Sequence, residues 1–439
     1  MSAANSWLVR VFERTTGVRA TPRSAEAVSR FAPYLAGMFA AKAFSTAGQL
    51  VISRWLGPSM FGELAVVLSF SVVLALPLAG AWGNTFVRYA AGKGDSTWAP
   101  LLAWVTRRTL LASIGLALLL CALSPVLAEV LRISPLLVIA GAGLGVAMAA
   151  WLLAKAACQG REDWRRFIGA ELGFGLATLF LPCLLLLFGG AQWWEAAAVF
   201  ALAYLAGTGP AWSLFSRAAR VRPHAHSPEI GLEASHYGRY ALLTGAANTL
   251  FLYGDRFAAQ HVLGSNEVGV YQLYNFATLG VAMLLSTMLH NFVFPLFPQG
   301  DRRAFAALFR SGFLRLLPLT LAALFVGGWL QIQLSGFPFR PGLLLVACCS
   351  AAAFMLSGFY GQLVLSVGVS GSRLTAKIGA TTLVVFAVAV VPAVQVGGLG
   401  GLFALYSAIY LGLAAYLAQA LRHLAAEQSR AVAAVSSLP

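Results

Sequence analysis

Charge is scarce in this chain. Asp, Glu, Lys and Arg supply 10% of its 439 residues, far below the about 25% usual in a soluble domain. Hydrophobic residues reach 59% and the mean hydropathy is +0.78, which excludes a soluble globular protein. Acids are scarcer still, 15 against 30 Lys and Arg. Cysteine is sparse too: Cys121, Cys158, Cys183, Cys348 and Cys349 fall in or beside apolar runs without CxxC spacing, and read as small core residues. Residues 1–33 lack the apolar core of about 7 to 15 residues that precedes a cleavage site, so the amino terminus is expected to stay attached. Paired carboxylates and a Ser/His/Asp arrangement are missing as well, which argues against an enzyme. His224 and His226 have no third or fourth ligand in view and read as solvated loop residues, so no metal is expected.

What is present is a succession of apolar runs near twenty residues long, from Tyr34 to Ala420, each able to cross a hydrocarbon layer of about 30 Å as a helix. Runs such as Leu110 to Leu120 and Leu383 to Val391 are apolar on every side, whereas a barrel strand would alternate. The fold class expected is therefore an all-α polytopic membrane protein of about twelve transmembrane helices. The spans fall near 34–54, 61–83, 106–128, 135–157, 167–188 and 193–215, then 241–261, 269–294, 312–333, 341–366, 374–394 and 399–420. Around them lie a basic N-terminal segment (1–33), an N-lobe (34–215), an inter-lobe linker (216–240), a C-lobe (241–420) and a tail (421–439).

Lys and Arg accumulate in the cytoplasmic loops of membrane proteins. With the amino terminus inside, the cytoplasmic segments and their flanks hold 25 of the 30 basic residues, while Arg54, Arg132, Arg256 and Arg340 lie toward the outside and Lys42 lies within the first span. Both termini are thus expected in the cytoplasm. This spread of positive charge among loops, with no single aromatic-lined patch, speaks against nucleic acid as a partner; membrane lipid is the expected surrounding.

The two halves resemble each other. At an offset of 207 residues Arg54-Trp-Leu56-Gly57 aligns with His261-Val-Leu263-Gly264, Gly62 with Gly269, and Asn84 with Asn291. At an offset of 210, Ile168-Gly169-Ala170 aligns with Ile378-Gly379-Ala380 and Pro182 with Pro392. Repeats with an even number of spans are parallel, related by an axis along the membrane normal.

The stretch LGPSMFGELAVVLSFSVVLALPLAGAWGNTFVRYAAG, residues 56–92, resembles the second-span signature of Wzx-type polysaccharide flippases, and DRFAAQHVLGSNEVGVYQLYNFATLGVAMLLSTMLHNFVFP, residues 255–295, is similar to their seventh and eighth spans, with the Asp-Arg pair and an LGxxxxGxY element. The resemblance implies membership of the multidrug/oligosaccharidyl-lipid/polysaccharide superfamily: two six-helix lobes around a central cavity that opens to either side in turn. It further implies an undecaprenyl-diphosphate-linked oligosaccharide as substrate, surface polysaccharide such as O-antigen or exopolysaccharide as product, polymerase machinery as partner, the bacterial inner membrane as location, and coupling to H⁺ or Na⁺ with no cofactor. The alternatives are a drug/cation antiporter of the same superfamily, or a membrane polymerase or ligase, a class disfavoured by the short outward connections.

Ionisable groups inside hydrocarbon cost several kcal/mol and usually face a cavity or a partner. Lys42, about 12 Å into the first span, Arg88, Lys155 and Arg256 are the expected contacts for a diphosphate. Asn84, Gln49, Gln272, Asn275, Asn248 and Gln362 could bind sugar hydroxyls or join helices. Asp255 and Glu171, the two membrane acids, are the expected ion-coupling groups; Glu171 and Lys377 also read as interfacial anchors. Adjacent helix residues point about 100° apart, so Asp255 and Arg256 are each expected to need another partner. Pro182 and Pro392 are the expected hinges.

Overall fold

The computed structural model describes residues 22–90, 95–187, 192–220, 228–286, 302–365 and 369–436. Among these there is no β-strand, as expected of apolar segments that must satisfy their backbone groups internally. The helices are α1 (Pro22–Ala90), α2 (Asp95–Leu131), α3 (Pro135–Gly160), α4 (Trp164–Leu186), α5 (Trp193–Thr208), α6 (Trp212–Ala219), α7 (Pro228–Leu263), α8 (Ser265–Asn275), α9 (Arg302–Ser335), α10 (Pro341–Leu365) and α11 (Val369–Ser436). A 3₁₀ turn, Gly209–Ala211, joins α5 to α6, and a π-helical turn, Phe276–Gly280, continues α8.

Short polar signals fix the helix starts. Ser134 precedes Pro135, and its Oγ accepts from Leu136 N–H at 3.3 Å, while Asp163 Oδ1 accepts from Arg166 N–H at 3.2 Å. Both satisfy amide groups that a first helical turn leaves unpaired. Glu195 reaches back to the N–H of Gln192 at 3.0 Å, half of a capping box.

Nine helical stretches among the described residues are long and apolar enough to cross a membrane. Two of them, Ala36–Ala90 and Arg373–Arg422, run 55 and 50 residues, each long enough for two crossings. Glycine divides both. Gly57 (φ 68°, ψ 175°) breaks α1 and Gly398 (φ 55°, ψ −140°) breaks α11, positive-φ conformations that cost a side-chain-bearing residue strain. Gly264, between α7 and α8, has φ 82° and ψ 174°, nearly the geometry of Gly57, its partner in the sequence repeat. The helices also run past the apolar stretches: α7 begins at Pro228 inside the expected linker, and α11 reaches Ser436 in the expected tail. Residues 287–294 of the eighth expected span lie outside the described residues.

In the first half α1 packs along α3 and α4, with α5 behind them; in the second, α11 packs on α10 and α7. The halves meet where α1 lies against α7 and α8.

Candidate functional site

Glycine sets how closely α1 meets α4. A Cβ on Gly175 would lie 2.4 Å from the Ala41 carbonyl oxygen, and one on Gly48 would lie 2.2 Å from that of Thr178. Backbones can approach this closely only over small residues. The approach brings Lys42, next to Ala41 on α1, to Glu171, one turn before Gly175 on α4. From α3 comes Lys155, whose neighbour one turn earlier, Trp151, has its indole N–H 3.5 Å from the Ala170 carbonyl oxygen.

The result is a buried carboxylate between two ammonium groups. Lys42 Nζ lies 3.2 Å from Glu171 Oε2, and Lys155 Nζ contacts Oε1. Glu171 is 1% exposed, whereas the side chains of Lys42 and Lys155 are 32% and 21% exposed, so the lysines, not the acid, keep accessible surface. Lys155 Nζ also sits 4.3 Å from the centre of the Trp151 ring and 5.5 Å from that of Phe167, an aromatic shelf that favours a cation. With all three ionised, the group carries one net positive charge.

The second half holds a different cluster. Arg256 Nη1 lies 2.7 Å from Asp255 Oδ1, Tyr271 O–H donates to Asp255 Oδ2, and Asn275 Nδ2 donates to the Tyr271 oxygen at 2.9 Å. Arg256 donates further to Gln272 Oε1 at 3.0 Å and to the Leu252 carbonyl at 2.5 Å, and its guanidinium lies over Tyr253 and Tyr271 at 4.8 and 5.6 Å. Asp255 is fully buried and Arg256 nearly so. This cluster is neutral and closed.

Here the expectation that Asp255 and Arg256 could not neutralise each other is corrected. Their Cα–Cβ bonds diverge, but the arginine side chain is long enough to fold back alongside its own helix, reaching both the Leu252 carbonyl one turn earlier and the carboxylate beside it. The interfacial-anchor reading of Glu171 is corrected too, because a group that is 1% exposed and held by two lysines anchors nothing at a headgroup surface. Lys377, which flanks the start of span eleven as Glu171 flanks that of span five, is exposed.

The structure thus gathers Lys42, Lys155 and Glu171 at one place, and Asp255, Arg256, Gln272 and Asn275 at another. Arg88 and Asn84 join neither; both are exposed, and Arg88 stacks 5.0 Å from the Tyr237 ring centre. Gln49 is half-buried and Asn248 exposed, while the side chain of Gln362, like Asn291, lies outside the described residues. Pro182 and Pro392 each sit inside a helix, α4 and α11. Sequence reasoning passed over Tyr271 and Trp151. Tyr271 had a signal, being the tyrosine that ends the LGxxxxGxY element.

The chain matches no known family model, and no curated relative matches it. Its fold, however, is shared with solved transporters. An inward-facing multidrug resistance MATE family transporter of the MOP superfamily aligns at a TM-score of 0.61 and 13% identity, over 88% of this chain and 98% of that one. Lipid II flippase MurJ, in an inward closed conformation, aligns at 0.60 and 11%, over 89% and 87%. A MOP superfamily transporter from Pyrococcus furiosus, described as having a binding pocket of reverse polarity, aligns at 0.58 and 14%, over 88% and 94%. At these identities the likeness establishes the fold alone, an all-helical one that this chain shares with multi-pass membrane transporters.

Proposed function

We propose that this chain flips an anionic lipid-linked oligosaccharide, of the undecaprenyl-diphosphate class, across a bacterial inner membrane by ion-coupled alternating access, without covalent chemistry. One observation carries the reading: Lys42 and Lys155 converge on a single buried carboxylate, and their side chains keep part of their surface exposed where the acid does not. A diphosphate and its sugars cannot cross hydrocarbon, and two lysine point charges set side by side are chemistry that holds a phosphate. In this reading twelve spans form two six-helix lobes, both termini are cytoplasmic, and Glu171 and Asp255 are the candidate coupling groups for H⁺ or Na⁺. The likeness to lipid II flippase MurJ supports a lipid-linked cargo.

The likeness to multidrug MATE transporters favours a second reading, a drug/cation antiporter. Such a protein needs acid available to a cationic drug, and here Glu171 and Asp255 are both engaged by cations of the chain itself. The readings separate by measurement. In cells lacking the protein, lipid-linked sugars accumulate on the cytoplasmic leaflet; Lys42→Arg restores flipping per folded molecule and Lys42→Ala does not. Absence of any accumulation favours the antiporter, and normal flipping by a stable Lys42→Ala protein removes the cationic-site argument.

A further inference from the structure

We infer that Glu171 is an exchangeable counter-ion: an incoming diphosphate takes Lys42 and Lys155 from it, and the vacated carboxylate takes up one proton. The inference rests on the flippase reading and deepens it. Glu171 is the more deeply buried partner, at 1% exposure against 32% and 21% for the Lys42 and Lys155 side chains, so an arriving anion reaches the lysines before the acid. The ionisable groups facing Glu171 are Lys42 from α1 and Lys155 from α3. From α5, Tyr204 stacks its phenol on Phe174 at 5.0 Å and lies over Trp151 at 5.4 Å, as part of the aromatic wall.

Once the lysines turn to the diphosphate, no third cation among the described residues is paired with the carboxylate. An unpaired ionised carboxylate at this depth is costly and becomes neutral instead. Charge then balances: two ammonium groups meet the two charges of a diphosphate diester, and the acid carries a proton drawn from solvent. Linkage makes the relation reciprocal, so a proton on Glu171 strengthens anion binding by the factor with which the anion strengthens proton binding. After the cargo leaves, Glu171 loses its proton and recaptures both lysines, which keeps the empty site from binding stray anions.

The test uses the full-length protein in lipid nanodiscs and farnesyl diphospho-N-acetylglucosamine, a diphosphate diester whose own charge stays fixed near neutrality. Titration calorimetry in two buffers of different ionisation enthalpy counts the protons taken up on binding. The expected result is about one proton per probe for the native protein, and none for Glu171→Gln, which binds about tenfold tighter or more because the internal competitor is gone. Binding by the native protein without proton uptake, or weaker binding by a folded Glu171→Gln protein, overturns the inference and leaves the flippase reading standing. Failure of the native protein to bind the probe at all overturns both. Should Glu171→Gln not fold, the native protein suffices: its affinity must rise about tenfold for each unit of falling pH between about pH 8 and 6, and a flat profile overturns the inference.

Discussion

Gly62 of α1 and Gly269 of α8 face each other across the junction of the two halves with their backbones in contact. A Cβ on Gly62 would lie 1.8 Å from the Ser265 carbonyl oxygen, and one on Gly269 would lie 1.9 Å from that of Pro58. The two residues are partners in the 207-residue repeat, as are Pro58 and Ser265, so the contact is reciprocal in the manner of an isologous dimer interface. The relationship extends outward. Arg54 Nη1 donates to the Leu334 carbonyl on α9 at 3.4 Å, and its repeat partner His261 pairs through Nδ1 with the Val130 carbonyl on α2 at 2.8 Å. Each half therefore grips the end of a helix in the other. Phe61 packs edge-on against Phe337 at 5.9 Å, and Arg340 pairs with Glu267 at 2.7 Å.

In the proposed alternating-access cycle this end of the bundle parts, so filling the glycine contact shifts the protein toward an open form. Phe61 is 4% exposed in the closed arrangement, and a Phe61→Cys reporter should react slowly with an impermeant maleimide. Adding Gly269→Val overpacks the junction at about 1 to 3 kcal/mol, so labelling should rise about fivefold or more. Equal labelling with and without the valine shows that the junction does not control opening.

The closed cluster around Asp255 predicts a different kind of defect. Asp255→Asn strands the buried guanidinium of Arg256, and breaking a buried pair from one side costs about 3 to 5 kcal/mol. Folded yield and melting temperature should therefore fall, and Asp255→Asn combined with Arg256→Gln should recover most of the loss. A coupling role for Asp255 calls for the opposite pattern, in which Asp255→Asn keeps native stability and loses only the dependence of flipping on the ion gradient. Melting curves with gradient-driven flipping assays decide between them.

Much of this was legible in the chain itself. Apolar runs give the helices, and the 207-residue repeat foretells that Gly57 and Gly264 share one backbone geometry, because an aligned glycine before a Pro or Ser marks a turn in both halves. The ion pairs were less legible for a physical reason. Helix periodicity says which way a Cα–Cβ bond points, but Lys42, Lys155 and Arg256 carry their charge several bonds further on. Their partners depend on how far each side chain reaches and on interhelix distances, which small residues such as Gly175 and Gly48 set from another part of the chain. The Glu171 pairing joins residues 129 and 16 positions apart, and no local pattern encodes that.

Orientation is open to a direct experiment. The excess of Lys and Arg on one side predicts that alkaline phosphatase fused after Pro439 is inactive, and that the same enzyme inserted near Gly336 is active. Gly336 lies in the short connection between α9 and α10 with φ 74°, beside the contacts of Phe337 and Arg340, so the insertion is read for phosphatase activity alone and not for transport. Activity at Pro439 with silence at Gly336 inverts the topology and with it the side from which Lys42 and Lys155 are reached.

The triad itself gives a prediction that separates structure from binding. Lys155→Met leaves a carboxylate that is 1% exposed with Lys42 as its one cation, and it also empties the place above the Trp151 ring that the ammonium occupies. Because Lys42 still neutralises the acid, the loss falls below that of a fully broken buried pair, about 2 to 3 kcal/mol. Adding Glu171→Gln removes the buried acid and leaves Lys42, whose side chain is 32% exposed and can be solvated, so the double variant should melt within a few degrees of the native protein. It should not regain flipping. One lysine then remains where a diphosphate meets two, and losing a charge-assisted contact of about 1.5 to 3 kcal/mol lowers affinity by about 10- to 150-fold relative to Glu171→Gln alone. If the single and double variants melt alike, Lys155 does not compensate Glu171 in the folded protein. If the double variant is stable and flips its cargo at the native rate, Lys155 serves the packing of α3 on α4, and the binding role falls to Lys42 alone.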